Sequence, residues 1–444
     1  MRQLITKIEN KTAKIGILGM GYVGLPVSIA FANKFHVIGY DVAKENIELL
    51  INGTSYIKDV ENSTLKKYLD KTFYPTNDYR ELKNCDFFII CVPTPLTVDK
   101  EPDLSYVKNA SKMISNILRK GHFVILESTT YPGTTEEVIK PILENSGLNA
   151  GIDFGIAYSP KRIDPGSNHK IEDIPKIVGG INQECTNIAA ILYESIIDAG
   201  VVKVKDCKTA EAAKIFENIF RNVNIALVNE FALICEKMDI NTWDVINAAS
   251  TKPFGFMPFY PGPGVGGHCI PLDPYYMSYK AKKSGFIPRF IELSGEINDY
   301  MRIHTINLVE HGLSRVGLKI NGAKIAVIGL AYKKDIDDTR ESPSKKIIEE
   351  IVNMGGNVKV YDPYVKFIET NYGKYFSEKT LENVLNDADC AIFVVNHTIF
   401  KVNNLRGMWK YMRHPIIVDC QNIFKDRKMD NFIYLGIGKG RTID

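Results

Sequence analysis

One loop in the middle of the chain combines a cysteine with glycines, prolines and an aspartate. Residues 261–274 read PGPGVGGHCIPLDP. The glycines predict an accessible thiol at Cys269, and a cysteine thiolate is the side chain best suited to covalent attack on an aldehyde. Asp273, four residues on, is placed to order or deprotonate a water. His268 is a base or, as is more usual beside a glycine turn, a structural hydrogen-bonding residue. The alternative for the whole loop is a glycine-rich turn with an incidental cysteine.

Two polar side chains interrupt a long segment without glycine or proline, residues 209–237. Its apolar residues recur at helical spacing, so the segment is predicted to be a helix. Lys214 and Asn218 are four residues apart and therefore project from one face about one turn apart. A lysine and an asparagine there can stabilise an oxyanion. A solvated helix face is the alternative, and the sequence alone does not decide.

A glycine motif, GMGYVG, follows the apolar run KIGIL near the start of the chain. Gly19 permits a tight turn, Gly21 lets the backbone approach a pyrophosphate, and Gly24 lets helix and strand pack closely. A second predicted strand ends in Asp41, about 20 residues on, where an acid accepts hydrogen bonds from ribose hydroxyls and repels a 2′-phosphate. The order of these elements predicts NAD as cofactor. A structural glycine turn with a solvated Asp41 is the alternative.

Two further loops follow predicted strands, CVPTP at 91–95 and ESTTYPGTT at 127–135. In open α/β sheets, ligands bind beyond the carboxyl ends of the strands, so both loops are candidates for the cofactor site. Either loop taken alone is equally well explained as a turn. The predicted cofactor contacts are Gly19, Gly21, Tyr22, Val23, Gly24, Asp41, Pro93, Thr94, Ser128, Thr129 and Lys333.

A charged loop at 329–343, GLAYKKDIDDTRESP, follows a predicted strand in the last part of the chain. Only Gly329 follows the strand, so the loop is not a second dinucleotide fingerprint. Lys333 and Arg340 suit a diphosphate, because both carry a positive charge and the arginine fork matches phosphate geometry. A solvated charged turn is the alternative.

The elements that must position these residues alternate between strands and helices. Nearly continuous apolar runs are typical of strands buried on both faces. They predict an α/β fold with two Rossmann-like, doubly wound parallel-sheet domains joined by a long central helical region. The predicted divisions are residues 1–200, 201–315 and 316–444. The predicted strands are 14–18, 36–40, 86–92, 122–127, 155–158, 176–179, 324–328, 358–361, 391–395, 416–418 and 432–435, and a second long helix is predicted at 289–316.

Composition and charge exclude several classes of protein. Hydrophobic residues make up 45% of the 444 residues and the net charge is +3, which argues against disorder and against nucleic-acid or membrane partners. No two of the eight cysteines form a CxxC pair, so no zinc site is predicted, and no metal site of another kind. Free thiols in apolar runs fit a reducing compartment. With no signal-peptide core at the start and no apolar run long enough to span a bilayer, the expected location is the cytoplasm.

These motifs, in this order, resemble those of the UDP-glucose/GDP-mannose dehydrogenase family over essentially the full length. The matching stretches are GILGMGYVGLP at 16–26, CVPTP at 91–95, ESTTYPGTT at 127–135, AEAAKIFENIFRNVNIALVNE at 210–230, PGPGVGGHCIPLDPYY at 261–276, GLAYKKDIDDTRESP at 329–343 and VYDPYV at 360–365. Within the family, residues 254–276 look most like the UDP-N-acetylglucosamine 6-dehydrogenases, which serve surface polysaccharide and glycan synthesis. The enzymes for UDP-N-acetylmannosamine and UDP-N-acetylgalactosamine are close relatives, and residue chemistry does not separate the epimers.

The resemblance implies an NAD domain, a central dimerisation region and a UDP domain, hence a homodimer that binds a UDP-N-acetylhexosamine. It also implies a four-electron oxidation of the C6 alcohol with two NAD, through a thiohemiacetal and a thioester on Cys269. Asp273 and Thr129 would hold the catalytic water. Substrate contacts would be Lys214, Asn218, Gly266, Lys333 and Arg340.

The chain departs from the family at one position. After Ser159-Pro160 the family usually has a glutamate that is proposed to assist proton transfer, and here the residue is Lys161. Either that glutamate is not essential, or Asp164 substitutes for it, or activity is altered. We hypothesise that Asp273 activates the water. Two other classes stay open: a two-electron dehydrogenase of the 3-hydroxy-acid type, and a non-catalytic NAD-binding protein.

Overall fold

The computed structural model describes residues 2–97, 99–162, 170–402, 407–425 and 429–440. The chain forms two compact units, each assembled from two stretches of sequence. Unit 1 comprises Met1–Glu217 and Tyr275–Phe286, and unit 2 comprises Asn218–Pro274 and Ile287–Asp444. The division into three domains stays a prediction. Within the described ranges, no helix has the length and apolar character needed to cross a membrane.

Unit 1 is built on an eight-stranded sheet with the strand order β3-β2-β1-β4-β5-β6-β7-β8. The neighbours run parallel except β6 and β7, which are antiparallel. Both faces of the sheet carry buried apolar side chains, which explains the continuous apolar runs. The strands are β1 (Lys14–Leu18), β2 (His36–Tyr40), β3 (Phe73–Thr76), β4 (Phe87–Ile90), β5 (Phe123–Leu126), β6 (Gly155–Tyr158), β7 (Lys176–Gly180) and β8 (Val201–Lys203).

Helices connect these strands, and two helices cross the limits of the units. Those within unit 1 are α1 (Arg2–Glu9), α2 (Gly24–Ala32), α3 (Lys44–Ile51), α4 (Asn62–Tyr68), α5 (Ser105–Ser115), α6 (Lys140–Glu144) and α7 (Gln183–Glu194). Helix α8 (Cys207–Lys237) begins in unit 1 and continues into unit 2, and α10 (Asp273–Lys283) begins in unit 2 and continues into unit 1.

Unit 2 contains a five-stranded, wholly parallel sheet with the order β10-β9-β13-β14-β15. A separate antiparallel hairpin is formed by β11 and β12. The strands are β9 (Lys324–Ile328), β10 (Asn357–Tyr361), β11 (Phe367–Thr370), β12 (Gly373–Phe376), β13 (Cys390–Phe393), β14 (Ile416–Asp419) and β15 (Ile433–Gly436). The helices are α9 (Thr242–Ala249), α11 (Arg289–Ser314), α12 (Pro343–Asn353), α13 (Leu381–Leu385) and α14 (Thr398–Val402).

The two sheets repeat one hydrogen-bonding pattern around their first strands. In unit 1 the Gly19 N–H donates to the Tyr40 carbonyl at 2.8 Å, and in unit 2 the Gly329 N–H donates to the Tyr361 carbonyl at 2.8 Å. The residue after each glycine then donates its N–H to the aspartate that directly follows the neighbouring strand, Asp41 or Asp362. The second sheet is therefore a shortened Rossmann-like copy of the first, and the predicted α/β fold class is confirmed.

Candidate active site

The glycine turn between β1 and α2 has the packing that a dinucleotide site requires. Gly19 has a φ of +96°, and a Cβ there would lie 2.7 Å from the Cys91 carbonyl oxygen. A Cβ on Gly24 would lie 1.7 Å from the Gly19 carbonyl oxygen, so only glycine fits. At Gly21 a Cβ would meet nothing within 4 Å. The backbone of the turn is therefore uncovered at Gly21, which is where a pyrophosphate has to approach it.

Asp41, directly after β2, is held by the backbone of the same region. Its Oδ2 accepts a hydrogen bond from the Met20 N–H at 2.7 Å, and its Oδ1 accepts one from the Ala43 N–H at 2.9 Å. A carboxylate oxygen has two lone pairs, so each oxygen retains capacity for a ribose hydroxyl. The side chain is thus fixed in position and still able to accept hydrogen bonds.

The loops after β4 and β5 are tied to one another. Ser128 is buried, and its hydroxyl donates to the Val92 carbonyl at 2.7 Å. Thr94 is also buried, and its carbonyl accepts from the Tyr276 hydroxyl. Pro93 is exposed and Thr129 is partly exposed. Two of the four predicted loop residues thus hold the loops in place, and the other two remain accessible.

Glu211 on α8 holds the loop after β5, a contact that was not predicted from the sequence. Its carboxylate accepts hydrogen bonds from the Gly133 N–H at 2.5 Å, the Thr135 N–H at 2.8 Å and the Thr135 hydroxyl at 2.7 Å. Desolvation by burial raises the pKa of Glu211 to about 7, although these hydrogen bonds oppose the rise. A carboxyl group flanked by Ala210, Ala212 and Ala213 was the available sign of this contact. Glu211 lies three residues before Lys214, so it also fixes that part of α8.

Asparagines on α8 hold the loop that carries Cys269 in unit 2. Asn218 Nδ2 donates to Asp273 Oδ2 at 2.5 Å, and Asn222 Nδ2 donates to the Ile270 carbonyl at 3.0 Å. Asn229 Oδ1 accepts from the Gly262 N–H at 3.0 Å. All three asparagines are buried. The structure thus joins the predicted residues Asn218 and Asp273, and it adds Asn222 and Asn229 as supports of the same loop.

Helix α11 supports these asparagines from a second side. Ser294 donates to Asn222 Oδ1 at 2.7 Å, and Asn298 accepts from Asn229 Nδ2 at 2.9 Å. Asn298 also donates to the Asn222 carbonyl at 3.2 Å. Buried polar groups are costly unless they are hydrogen-bonded, and this network satisfies them while fixing the loop. Polar residues recurring on the apolar face of α8 were the sign that could have revealed it.

Cys269 differs from the other cysteines in its exposure. It is partly exposed, whereas Cys85, Cys91, Cys185, Cys207, Cys235, Cys390 and Cys420 are buried. Burial raises the pKa of the Cys91 thiol and that of the Cys420 thiol, so those sulfurs stay protonated and unreactive. The Cys269 carbonyl accepts the Asp273 N–H at 2.9 Å, which closes the turn between the thiol and the carboxylate.

The glycines before Cys269 are explained by a close approach of the 329–343 loop. A Cβ on Gly266 would lie 2.7 Å from Tyr332 Cβ, and one on Gly267 would lie 2.7 Å from the Tyr332 ring. The Gly267 N–H donates to the Arg340 carbonyl at 3.0 Å. The cysteine loop and the charged loop of unit 2 are therefore packed backbone against backbone, and Gly266 lies in that contact.

Arg340 and Lys333 bring positive charge to this part of unit 2. The Arg340 guanidinium donates two hydrogen bonds to the Asp338 carboxylate, from Nη2 to Oδ2 at 2.6 Å and from Nε to Oδ1 at 3.0 Å. Lys333 is partly exposed.

Burial and the charge of Arg340 lower the pKa of His268, so this imidazole is neutral at pH 7. A neutral His268 is consistent with either of the roles that the sequence allows.

Lys214 is buried on α8, one turn before Asn218. Among the described residues, no hydrogen bond or ion pair to its ammonium group is found. A buried charge without a partner is costly, so such groups are rare outside functional sites. The solvated helix face considered for this pair therefore does not apply: both side chains are buried.

Lys161, the departure from the family pattern, lies after β6 in unit 1. Its Nζ donates to the Tyr22 carbonyl at 2.8 Å, within the glycine turn. Asp164, considered as a substitute carboxylate, lies outside the described residues.

Among the described residues, no group of three or more His, Cys, Asp or Glu is arranged to hold a metal ion.

Three family models match consecutive parts of the chain. The NAD-binding domain of the UDP-glucose/GDP-mannose dehydrogenase family matches residues 13–197, its central domain matches 208–300, and its UDP-binding domain matches 326–426. The chain belongs to the UDP-glucose/GDP-mannose dehydrogenase family. It is therefore an NAD-dependent nucleotide-sugar dehydrogenase, and its cofactor is NAD.

Curated relatives match over almost the whole chain. UDP-N-acetyl-D-mannosamine dehydrogenase of Pyrococcus horikoshii is 39% identical, over 96% of this chain and 99% of its own. UDP-N-acetyl-D-glucosamine 6-dehydrogenase of Pseudomonas aeruginosa is 36% identical, over 95% of this chain and 99% of its own. The solved structure of the Pyrococcus horikoshii UDP-D-ManNAc dehydrogenase superposes with a TM-score of 0.89 at 38% identity, covering 96% of this chain and 99% of that one. Relatives of comparable similarity thus differ in the sugar that their names give.

Proposed function

We propose that this dehydrogenase oxidises the C6 alcohol of a UDP-N-acetylhexosamine to the uronic acid, with UDP-N-acetylglucosamine as the substrate, for surface polysaccharide or glycan synthesis. The observation that carries the proposal is that the partly exposed Cys269 lies in a loop held by a buried hydrogen bond between Asn218 of α8 and Asp273. UDP-N-acetylmannosamine, UDP-N-acetylgalactosamine and UDP-glucose are the alternative substrates. The relatives with the two N-acetylated sugars in their names support the class. The choice of UDP-N-acetylglucosamine rests on the resemblance of residues 254–276 to the UDP-N-acetylglucosamine 6-dehydrogenases.

The proposed reaction converts a primary alcohol, two NAD and one water into a carboxylate, two NADH and three protons. The alcohol first loses a hydride and a proton to give the C6 aldehyde. The Cys269 sulfur then adds to the aldehyde carbon, and loss of a second hydride leaves a thioester. Water adds to the thioester carbonyl, the carbon–sulfur bond breaks, and the thiolate is regenerated. NAD, when bound, accepts the hydride in each of the two oxidations.

The buried polar side chains of α8 have matching roles in this scheme. The Lys214 ammonium and the Asn218 amide stabilise negative charge on the C6 oxygen as it develops.

Asp273 accepts a proton from the attacking water, and Thr129 orients that water. Lys333 and Arg340 bind the diphosphate and the uridine sugar, and the Gly266 backbone lies against the sugar. These assignments are supported by the resemblance of the motifs and by the fixed geometry of each loop.

A substrate panel tests the proposal. Purified protein is given NAD with UDP-N-acetylglucosamine, UDP-N-acetylmannosamine, UDP-N-acetylgalactosamine, UDP-glucose or GDP-mannose, and NADH and product are quantified. We expect the highest kcat/KM for UDP-N-acetylglucosamine and two NADH for each uronic acid formed. A higher value for another sugar reassigns the substrate. One NADH per product would support the two-electron alternative, and no NADH with any sugar would support the non-catalytic one.

We propose further that the enzyme is a homodimer in the cytoplasm and that α8 contributes to the dimer interface. Within unit 2, four large apolar side chains of α8 are exposed along one side of the helix, Phe220, Leu227, Phe231 and Ile234, and Met238, the residue after the helix, is exposed as well. Their spacing of three, four or seven residues places them on one helical face. A contiguous apolar stripe of this kind is typical of a protein interface, and a second copy of the chain would cover it.

Charge placed in this stripe should weaken the dimer. We expect a Leu227→Glu, Phe231→Glu double variant to shift towards a monomer by light scattering, since each carboxylate would be buried without a partner. Leu49→Glu on α3 is the matched control, because Leu49 is exposed and lies outside the stripe. Circular dichroism checks that the double variant is folded. A monomeric wild type, or a folded double variant that remains dimeric, contradicts this interface.

A further inference from the structure

Lys161 reaches back from the loop after β6 to the glycine turn. Its Nζ donates a hydrogen bond of 2.8 Å to the carbonyl of Tyr22, although the two residues are 139 positions apart. Tyr22 lies between Gly21 and Gly24, in the turn whose open side faces the expected pyrophosphate. The contact therefore joins a cation to the part of unit 1 where the cofactor phosphates are expected.

The Tyr22 carbonyl lacks its ordinary helical donor. At the start of α2, the Leu25 N–H donates to the Gly21 carbonyl at 3.1 Å, and the Val27 N–H donates to the Val23 carbonyl at 3.2 Å. In this series the donor for Tyr22 would be residue 26, which is a proline and has no N–H. The Lys161 ammonium donates to this carbonyl instead. It therefore fixes the one peptide of the turn that Pro26 leaves without its intrahelical hydrogen bond.

The segment that carries Lys161 is itself anchored on both sides. The buried Ser159 donates its hydroxyl hydrogen bond to the Ile177 carbonyl at 2.8 Å. Arg162 forms an ion pair with Glu217 of α8 at 2.6 Å and donates to the Pro175 carbonyl at 2.7 Å. Lys161 thus extends from a fixed backbone, which limits the entropy lost when its side chain is held on the turn.

We propose that Lys161 is a positioning residue for NAD. By holding the Tyr22 peptide it orients the N–H groups of the turn towards the pyrophosphate, and its charge adds to the attraction for that diphosphate. The role rests on the proposed function only in so far as NAD lies on this turn. The role concerns binding of the cofactor and not proton transfer at the sugar. Loss of Lys161 should therefore lower the affinity for NAD and leave the rates of the chemical steps unchanged.

Direct titration of NAD into the full chain without any sugar tests this role. We expect Lys161→Met to raise the Kd for NAD about tenfold, the effect of losing one hydrogen bond to a charged group. Lys161→Arg should restore most of the affinity, because it keeps the charge and the donor. Lys112→Met on the exposed face of α5 removes the same charge elsewhere and should leave the Kd unchanged.

Kinetics with the sugar separate this role from a structural one. KM for NAD should rise in Lys161→Met, while KM for the sugar and kcat stay within about twofold of wild type. If the Met variant is unstable, Lys161→Gln, which keeps a donor and loses the charge, is titrated in its place. An unchanged Kd in a folded variant overturns the role of Lys161 alone. If the wild type fails to bind NAD, both the proposed function and the role of Lys161 are overturned. A preference for a different sugar changes neither the NAD titration of the wild type nor that of the Lys161 variant.

Discussion

Replacement of Cys269 by alanine is expected to abolish formation of the uronic acid. The second oxidation needs a covalent adduct on sulfur, so the rate of uronate formation should fall by roughly 10³-fold or more. The first oxidation needs no thiol. Any residual NADH should therefore appear together with free aldehyde, one NADH for each aldehyde, and mass spectrometry of the sugar products measures that ratio.

Cys235→Ala is the matched control for this change. Cys235 is buried on α8, so its replacement alters packing and leaves the partly exposed thiol untouched. Its activity should stay within about threefold of wild type, since one small buried group contributes little beyond packing. If Cys269→Ala still produced uronic acid at a rate close to that of the control, the thioester route would be wrong.

The fold was predictable from the sequence to the extent that it depends on apolar runs. The strands 14–18, 36–40, 155–158 and 324–328 were predicted with the bounds that the structure has. The predictions 86–92 and 122–127 extended past both ends of their strands, Phe87–Ile90 and Phe123–Leu126, because flanking residues such as Cys91, His122 and Glu127 are buried as well. An apolar pattern marks burial, and burial does not end where the strand hydrogen bonds end.

Elements with weak apolar patterns were not predicted. β3 reads FYPT at one edge of its sheet, where proline is tolerated, and β8 consists of three residues that are largely solvent-accessible. The hairpin of β11 and β12 is likewise exposed on much of its surface. Edge strands bury one side or less, so their sequences carry no continuous apolar run. The reversed direction of β7 depends on the connection and is invisible in composition.

The site was predictable where a motif reports a backbone requirement. Gly19 and Gly24 were singled out from a motif, and their positions tolerate no side chain, while Cys269 was singled out because it is a reactive residue type in an unusual loop. Asn222, Asn229 and Glu211 were missed, because their partners are backbone groups far along the chain. Long-range hydrogen bonds leave no local spacing, and only a polar residue on an apolar helical face indicates them.

Replacement of Asp273 by asparagine should slow hydrolysis of the thioester without preventing formation of the thioester on Cys269. Asp273 Oδ2 accepts from Asn218 Nδ2 at 2.5 Å, and an asparagine at 273 can accept the same bond through its amide oxygen. The variant therefore keeps the loop geometry and loses only the basic group. Hydrolysis of the thioester should fall by roughly 10²-fold, the usual contribution of a general base.

This separation of steps predicts a distinctive time course. Both oxidations precede hydrolysis, so Asp273→Asn should release a burst of two NADH per active site and then turn over slowly. Intact-protein mass spectrometry should detect the acyl enzyme on Cys269. Asp244→Asn, an exposed change at the start of α9 in the same unit, controls for loss of one negative charge. A variant with wild-type turnover and no burst would remove Asp273 from water activation, whereas a slow variant without a burst would place its effect before the thioester.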